Sequence, residues 1–215
     1  MAFYIACEES KLFMDLFVDG TAGRLEARYS KAAPATGVTA VLCHPHPQFG
    51  GTMNDPVLGA LESALLSSGI SSLRFNFRGV GGSEGKYGDG VGEIDDVVAV
   101  TAWVRERSVG ERIILVGYSF GGAVALSAQE LLAPESMILV APAVGMFGQQ
   151  HPPILPTLVF LAGNDQFVNV DSTKDWFDDS NTRVEQIPET DHFFVGHYDQ
   201  ITKTVIEFLT TTFIE

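Results

Sequence analysis

The segment that most restricts this chain is Gly117-Tyr118-Ser119-Phe120-Gly121. An apolar, β-branched run, Arg112-Ile113-Ile114-Leu115-Val116, precedes it, and a helix-like stretch from Gly122 to Leu132 follows. A Gly-x-Ser-x-Gly placed between a strand and a helix forces the backbone through a sharp turn at the serine, which leaves its hydroxyl exposed. Glycines two residues to either side are needed because a side chain there would meet the neighbouring strand or helix.

On both sides of this turn the pattern alternates between strand and helix. Leu12 to Asp19 and Gly23 to Lys31 read as an antiparallel hairpin joined by Asp19-Gly20-Thr21-Ala22-Gly23. Val38 to His44 is expected as a strand. Pro56 to Ser68 is expected as a helix, with Asn54 or Asp55 as N-cap and Pro56 at the first helical position. Ser71 to Phe77 reads as a strand, and a glycine-rich loop runs on to Gly92. Glu93 to Arg107 reads as a helix whose acidic start suits the helix dipole. Met137 to Ala143 and Thr157 to Ala162 are short apolar strands of the buried parallel kind. Val184 to Ile187 is a weaker last strand, and His197 to Thr212 a closing amphipathic helix. A hairpin followed by βα units predicts an α/β protein: a mostly parallel, doubly wound sheet with helices on both faces. The 215 residues suit one such domain, 1–215, without repeats or an interdomain linker.

Composition excludes several classes. A formal net charge of −14 argues against nucleic acid and anionic membranes as partners. No apolar run has the length of a membrane span, and the first residues lack a basic, signal-like start, so a cytoplasmic location is expected. Cys43 within a strand and Cys7 near the N-terminus do not suggest a disulfide framework or a zinc site.

A serine hydroxyl is a poor nucleophile unless a general base takes its proton, and that base needs a third group to orient it. In open α/β sheets such groups gather at the carboxyl ends of strands. Asp165 follows the Thr157 to Ala162 strand after Gly163-Asn164, and His192 lies just beyond the last strand in Thr190-Asp191-His192-Phe193-Phe194. The rivals are Asp171, which reads as a helix N-cap, and His197, which Gly196 places at the mouth of a helix. Asp191, adjacent to His192, is expected to satisfy loop amides. Charge developing on an acyl oxygen also needs preorganised N–H donors. One is expected from Phe120. The other should come from His44-Pro45-His46-Pro47-Gln48, where the prolines have no N–H, which leaves His46, with Gln48 as the fallback. No carboxylate or cysteine at matching spacing joins His44 and His46, so no metal is expected, and His44 is read as a backbone anchor. The loop Arg78-Gly79-Val80-Gly81-Gly82-Ser83-Glu84-Gly85 fits neither dinucleotide nor P-loop spacing. It reads as a tight loop with Arg78 paired to Asp95 or Asp96, and no cofactor is implied.

Together these motifs resemble the α/β-hydrolase superfamily. The segments His44-Pro45-His46-Pro47, Gly50-Gly51-Thr52-Met53, Leu73 to Gly81 and Asp191-His192-Phe193-Phe194 look like those of small, cap-less bacterial predicted hydrolases similar to dienelactone hydrolases. The resemblance implies the α/β-hydrolase fold, with Ser119 as nucleophile, Asp165 as acid and His192 as base. Many relatives carry the acid three residues after the strand-end glycine, whereas Asp165 comes two after Gly163. Lids in this fold usually enter between the segments corresponding to Ala143 and Thr157. Val144 to Pro156 is too short for one and rich in glycine and proline, so an open, shallow pocket for small or short-chain acyl esters is expected. The implied activity is that of a serine carboxylesterase. The alternatives are a thioesterase or small-amide hydrolase and, in a different class, a non-catalytic binding protein on the same fold.

Overall fold

In the computed structural model, which describes residues 13–107, 112–148, 150–178 and 181–214, the apolar runs form one eight-stranded sheet. Its strands are β1 (Phe13–Gly20), β2 (Gly23–Ser30), β3 (Val38–Cys43), β4 (Ser71–Phe75), β5 (Arg112–Tyr118), β6 (Ser136–Val140), β7 (Thr157–Ala162) and β8 (Thr182–Ile187). Their spatial order is β1-β2-β4-β3-β5-β6-β7-β8. The hairpin β1–β2 is antiparallel and joins antiparallel to β4, and every later pairing is parallel. This is the α/β-hydrolase fold. The strand proposed to begin at Leu12 is described from Phe13. Leu12 and Cys7 lie outside the described residues.

The helices are α1 (Pro56–Ser67), α2 (Val91–Arg107), α3 (Phe120–Leu132), α4 (Val170–Phe177) and α5 (Tyr198–Leu209), with a π-helical turn over Thr210–Ile214. Alternation along the central strands decides which helix covers which face. Leu42, Ile114, Val116, Ile138 and Phe160 pack with Leu58, Leu61 and Leu65 of α1 and with Ile201 and Val205 of α5. Their neighbours in sequence, including Val41, Leu115, Leu139 and Val159, meet Val97 and Val100 of α2 and Val124 of α3 on the other face. Most of these side chains are wholly buried. Each contributes about 1.5–3 kcal/mol relative to exposure, which gives a sheet rigid enough to hold loops at its carboxyl end.

The structure departs from expectation in several places. The helix after the elbow begins at Phe120 rather than Gly122, because Ser119 itself occupies the N-cap position. β6 ends at Val140 instead of running to Ala143, since Ala141 turns to a positive φ of 40°. β4 stops at Phe75, and the Phe77 N–H goes to the His44 side chain instead of to a strand partner. α4 is an addition to the pattern. Its N-cap is Asn169, whose side chain accepts the Ser172 N–H at 2.9 Å, so Asp171 lies in the first turn and not, as expected, at the cap. At α1 the cap is Asp55.

Candidate active site

The site begins with a backbone that needs glycine at 117 and 121. Ser119 sits at φ 54°, ψ −115°, between β5 and α3. A β-carbon at Gly117 would strike the carbonyl oxygen of Gly121, and one at Gly121 would strike the Cys43 carbonyl at the end of β3. The conformation is over-determined by neighbours, as strained positions must be. The Ser119 N–H donates to Val140 O at 2.8 Å, and its carbonyl accepts from Gly122, Ala123 and Ala143.

From this elbow the Ser119 hydroxyl donates to His192 Nε2 at 2.9 Å, and His192 Nδ1–H donates to Asp165 Oδ2 at 2.7 Å. The three side chains come from beyond β5, β7 and β8. Asp165 divides its oxygens: Oδ1 accepts the Phe167 and Val168 N–H groups at 2.8 and 2.9 Å, while Oδ2 faces the imidazole. Burial pushes this carboxyl up, but the His192 hydrogen bond and the two amides outweigh it and hold its pKa below the usual value. The one-residue shortening after Gly163 does not prevent the contact. Of the rivals, Asp171 is exposed on α4 and His197 occupies the N-cap position of α5. Asp191 accepts the Phe193 N–H at 3.0 Å, a loop-amide contact.

Tyr118, which carries no motif signal of its own, fixes His192 from behind. Its hydroxyl donates to the His192 carbonyl at 2.9 Å, across 74 positions of sequence. Burial, and then the charges of Asp55 and Asp165, push its phenol pKa well up, so it stays a donor.

The loop after β3 closes the other side. His44 is wholly buried. Its Nδ1–H donates to Pro45 O at 2.6 Å, and its Nε2 accepts the Phe77 N–H at 3.0 Å. Both ring nitrogens are thus committed, and burial lowers the pKa to about 4. His46 Nδ1 accepts the Gln48 N–H at 3.2 Å at the start of a 3₁₀ turn, Pro47–Phe49. Its ring packs against Phe49, Tyr87 and Phe120. Gln48 therefore has its amide engaged, whereas the N–H groups of His46 and Phe120 find no backbone acceptor among the described residues. Neither histidine is set for a metal, and among the described residues no group of three or more His, Cys, Asp or Glu side chains has a ligating arrangement. Arg78 pairs with Asp96 through its backbone N–H, Nε and Nη2, while Asp95 faces solvent.

Around these groups lies an open cleft of about 370 Å³, lined by His46, Phe49, Asp55, Ser119, Phe167, His192 and Phe193 among others. No helix or strand stands between Val140 and Thr157 among the described residues. Gln150 straps this segment to α3 through Ala123 O and Ser127 Oγ, and accepts the Gly145 N–H. No helix among the described residues is long and apolar enough to cross a membrane.

A model of the alpha/beta hydrolase family matches residues 40–207. An uncharacterized protein of Rickettsia prowazekii (strain Madrid E), RP471, is 31% identical over 211 residues, covering 91% of this chain and 88% of that protein. The crystal structure of XC6422 from Xanthomonas campestris, described as an a/b serine hydrolase without lid, is similar with a TM-score of 0.88 and 32% identity, over 94% of this chain and 95% of that one. An alpha-beta serine hydrolase homologue from Coxiella burnetii is similar with a TM-score of 0.83 and 31% identity, over 90% and 96% of the two chains.

Proposed function

The chain belongs to the alpha/beta hydrolase family, and from that premise we propose that it is a serine hydrolase that cleaves small carboxylic esters through an acyl-enzyme. Ser119 is the nucleophile, His192 the general base and Asp165 the residue that orients and supports His192. The observation that carries this reading is the continuous hydrogen-bond relay from Ser119 Oγ through His192 to Asp165, at 2.9 and 2.7 Å, beside a solvent-open cleft.

In the first half-reaction Ser119 Oγ attacks the ester carbonyl carbon while His192 Nε2 takes the hydroxyl proton. The carbonyl oxygen becomes negative and is met by the N–H groups of Phe120 and His46. Collapse expels the alcohol, which leaves with the proton from His192 and puts the acyl group on Ser119. Water then repeats the sequence: His192 takes its proton, the acid departs and Ser119 recovers its own. Asp165 stabilises the imidazolium formed twice in the cycle and keeps Nδ1 protonated. The lidless cleft favours small or short-chain acyl groups, because a long lipid chain needs a closed apolar groove.

The His44-Pro45-His46-Pro47 segment and the similarity to dienelactone hydrolases are part of this reading, with serine rather than cysteine at the elbow. The protein is taken to work in the cytoplasm on a small molecule, without cofactor, metal or nucleic acid. Its negative charge and a buried, free Cys43 support that placement.

The test is a panel of p-nitrophenyl esters and acyl thioesters with wild type and Ser119→Ala. Short-chain ester turnover should fall by roughly 10⁶ in a folded Ser119→Ala protein, and a fluorophosphonate should label Ser119. Activity retained by that variant refutes the triad. Faster thioester than ester turnover moves the assignment to a thioesterase, and no turnover or labelling at all moves it to a binding protein.

A further inference from the structure

One carboxylate in the cleft has no part in the ester chemistry. Asp55 lines the same cavity as Ser119 and His192, and caps α1 by accepting the Val57 N–H on Oδ1 at 2.8 Å. A cap requires only an acceptor. Asparagine or serine serves as well there and carries no charge into a half-buried place. Burial pushes the Asp55 carboxyl up, opposed by the Val57 and Leu58 amides and by His192. The net shift is upward, and the positive end of the α1 dipole works against it by favouring the charged form.

No lysine or arginine of the cleft offsets that charge. Asp55 forms no salt bridge among the described residues, and the cleft lining contains neither lysine nor arginine. After burial, the charge of Asp55 is the next influence raising the Tyr118 and Tyr198 phenols, so its field reaches across the site. Three phenylalanines stand exposed at the mouth, beside Met146. Phe49, Phe167 and Phe193, which line the cleft, are 85%, 69% and 50% exposed. Aromatic faces attract cations and offer nothing to anions.

We propose that Asp55 is a specificity-determining residue, by which the cleft accepts esters bearing an ammonium group and rejects those bearing a carboxylate. The chemistry rests on the ester-hydrolase reading, whereas the charge preference rests on the cleft alone.

Two p-nitrophenyl esters of matched chain length test it, 4-(trimethylammonio)butyrate and hydrogen glutarate, each compared by kcat/KM in wild type and Asp55→Asn. Taking the ratio of the two within each protein cancels any effect on Ser119 or His192. Wild type should favour the cationic ester by about tenfold or more, and Asp55→Asn should bring the ratio close to one. Added salt should compress the wild-type ratio. If Asp55→Asn does not fold, Asp55→Ser retains a cap and replaces it. A wild-type ratio near or below one, or one unchanged in the folded variant, overturns the proposal.

Calorimetry of benzyltrimethylammonium and benzoate binding to Ser119→Ala, with and without Asp55→Asn, reads the same preference without turnover. A cation preference there that vanishes with Asp55 sustains the proposal even if no ester is cleaved. Ser119-dependent ester cleavage without charge discrimination sustains only the hydrolase reading.

Discussion

Replacing Arg78 with methionine removes a guanidinium from a place where nothing else can do its work. Asp96, on the first turns of α2, is completely buried, and the Arg78 side chain is only about one-tenth exposed. Nε donates to both carboxylate oxygens at 3.0 and 3.1 Å, Nη2 donates to Oδ1 at 2.7 Å, and Nη2 also reaches Thr21 Oγ1 at 3.0 Å. Methionine keeps the stem but leaves Asp96, among the described residues, with the residue-78 backbone N–H at 2.9 Å. Breaking a buried pair by deleting one partner costs about 3–5 kcal/mol, since a charge is left without compensation. With a urea slope of about 2–3 kcal/mol per molar, the unfolding midpoint should fall by about 1–2.5 M. Urea unfolding followed by circular dichroism measures this directly. The double variant Arg78→Met, Asp96→Leu should regain most of the loss, because the stranded charge is then gone too. A midpoint shift below about 0.3 M in Arg78→Met, or a double variant whose losses simply add, would refute the reasoning. The segment from Arg78 to α2 also holds Tyr87 against the His46 ring, so turnover should fall in Arg78→Met even where the protein remains folded.

If the His46 N–H is an oxyanion donor, His46→Pro should lower kcat about a hundredfold, roughly 3 kcal/mol, with little change in KM. His46→Ala should lose less, near tenfold, because the Gln48 and Tyr87 contacts and the ring packing go while the backbone N–H stays. Equal severe losses would assign the role to the imidazole. Asp165→Asn should lower kcat by roughly 10⁴ by disturbing the His192 tautomer, and near-wild-type kinetics would dismiss Asp165. His44, with its pKa lowered to about 4 against an ordinary 6.5, is neutral in the folded protein, while the unfolded chain takes up its proton first. Its stabilising contribution is therefore present above pH 6.5 and drains away as pH falls toward 4, about 3 kcal/mol in all. NMR titration of the imidazole checks this, and a midpoint near 6.5 would refute it.

Much of this architecture was readable from local pattern. The bounds of β5 and β7 coincide with their apolar runs, and the elbow is visible because three closely spaced residues must all be what they are. Asp165 could be read either as a turn-capping residue or as the partner of His192. The geometry accommodates both, one oxygen for each. Other features leave no local trace. α4 is short and buries only Thr173 and Phe177, too sparse for a helical stripe to stand out. Asp95 and Asp96 are adjacent, and only the sheet on which α2 lies decides which one turns inward to Arg78. The place of Asp55 in the cleft and the Tyr118 contact with His192 join distant segments, so no window of sequence contains them.

That last contact changes what disturbances the site can absorb. Ser119 belongs to the middle of the sheet, but His192 is carried by the loop beyond the carboxyl end of β8, an edge strand, where fraying is easiest. Through the Tyr118 hydroxyl, the loop carrying His192 is moored to the residue covalently next to Ser119. The span between nucleophile and base is thus referenced to one dipeptide at the centre of the molecule, not accumulated across three strands and their thermal breathing. A loosened edge then costs stability before it costs alignment, and the middle residue between the first glycine and the serine, formally a free position in the motif, is the one that sets the gauge.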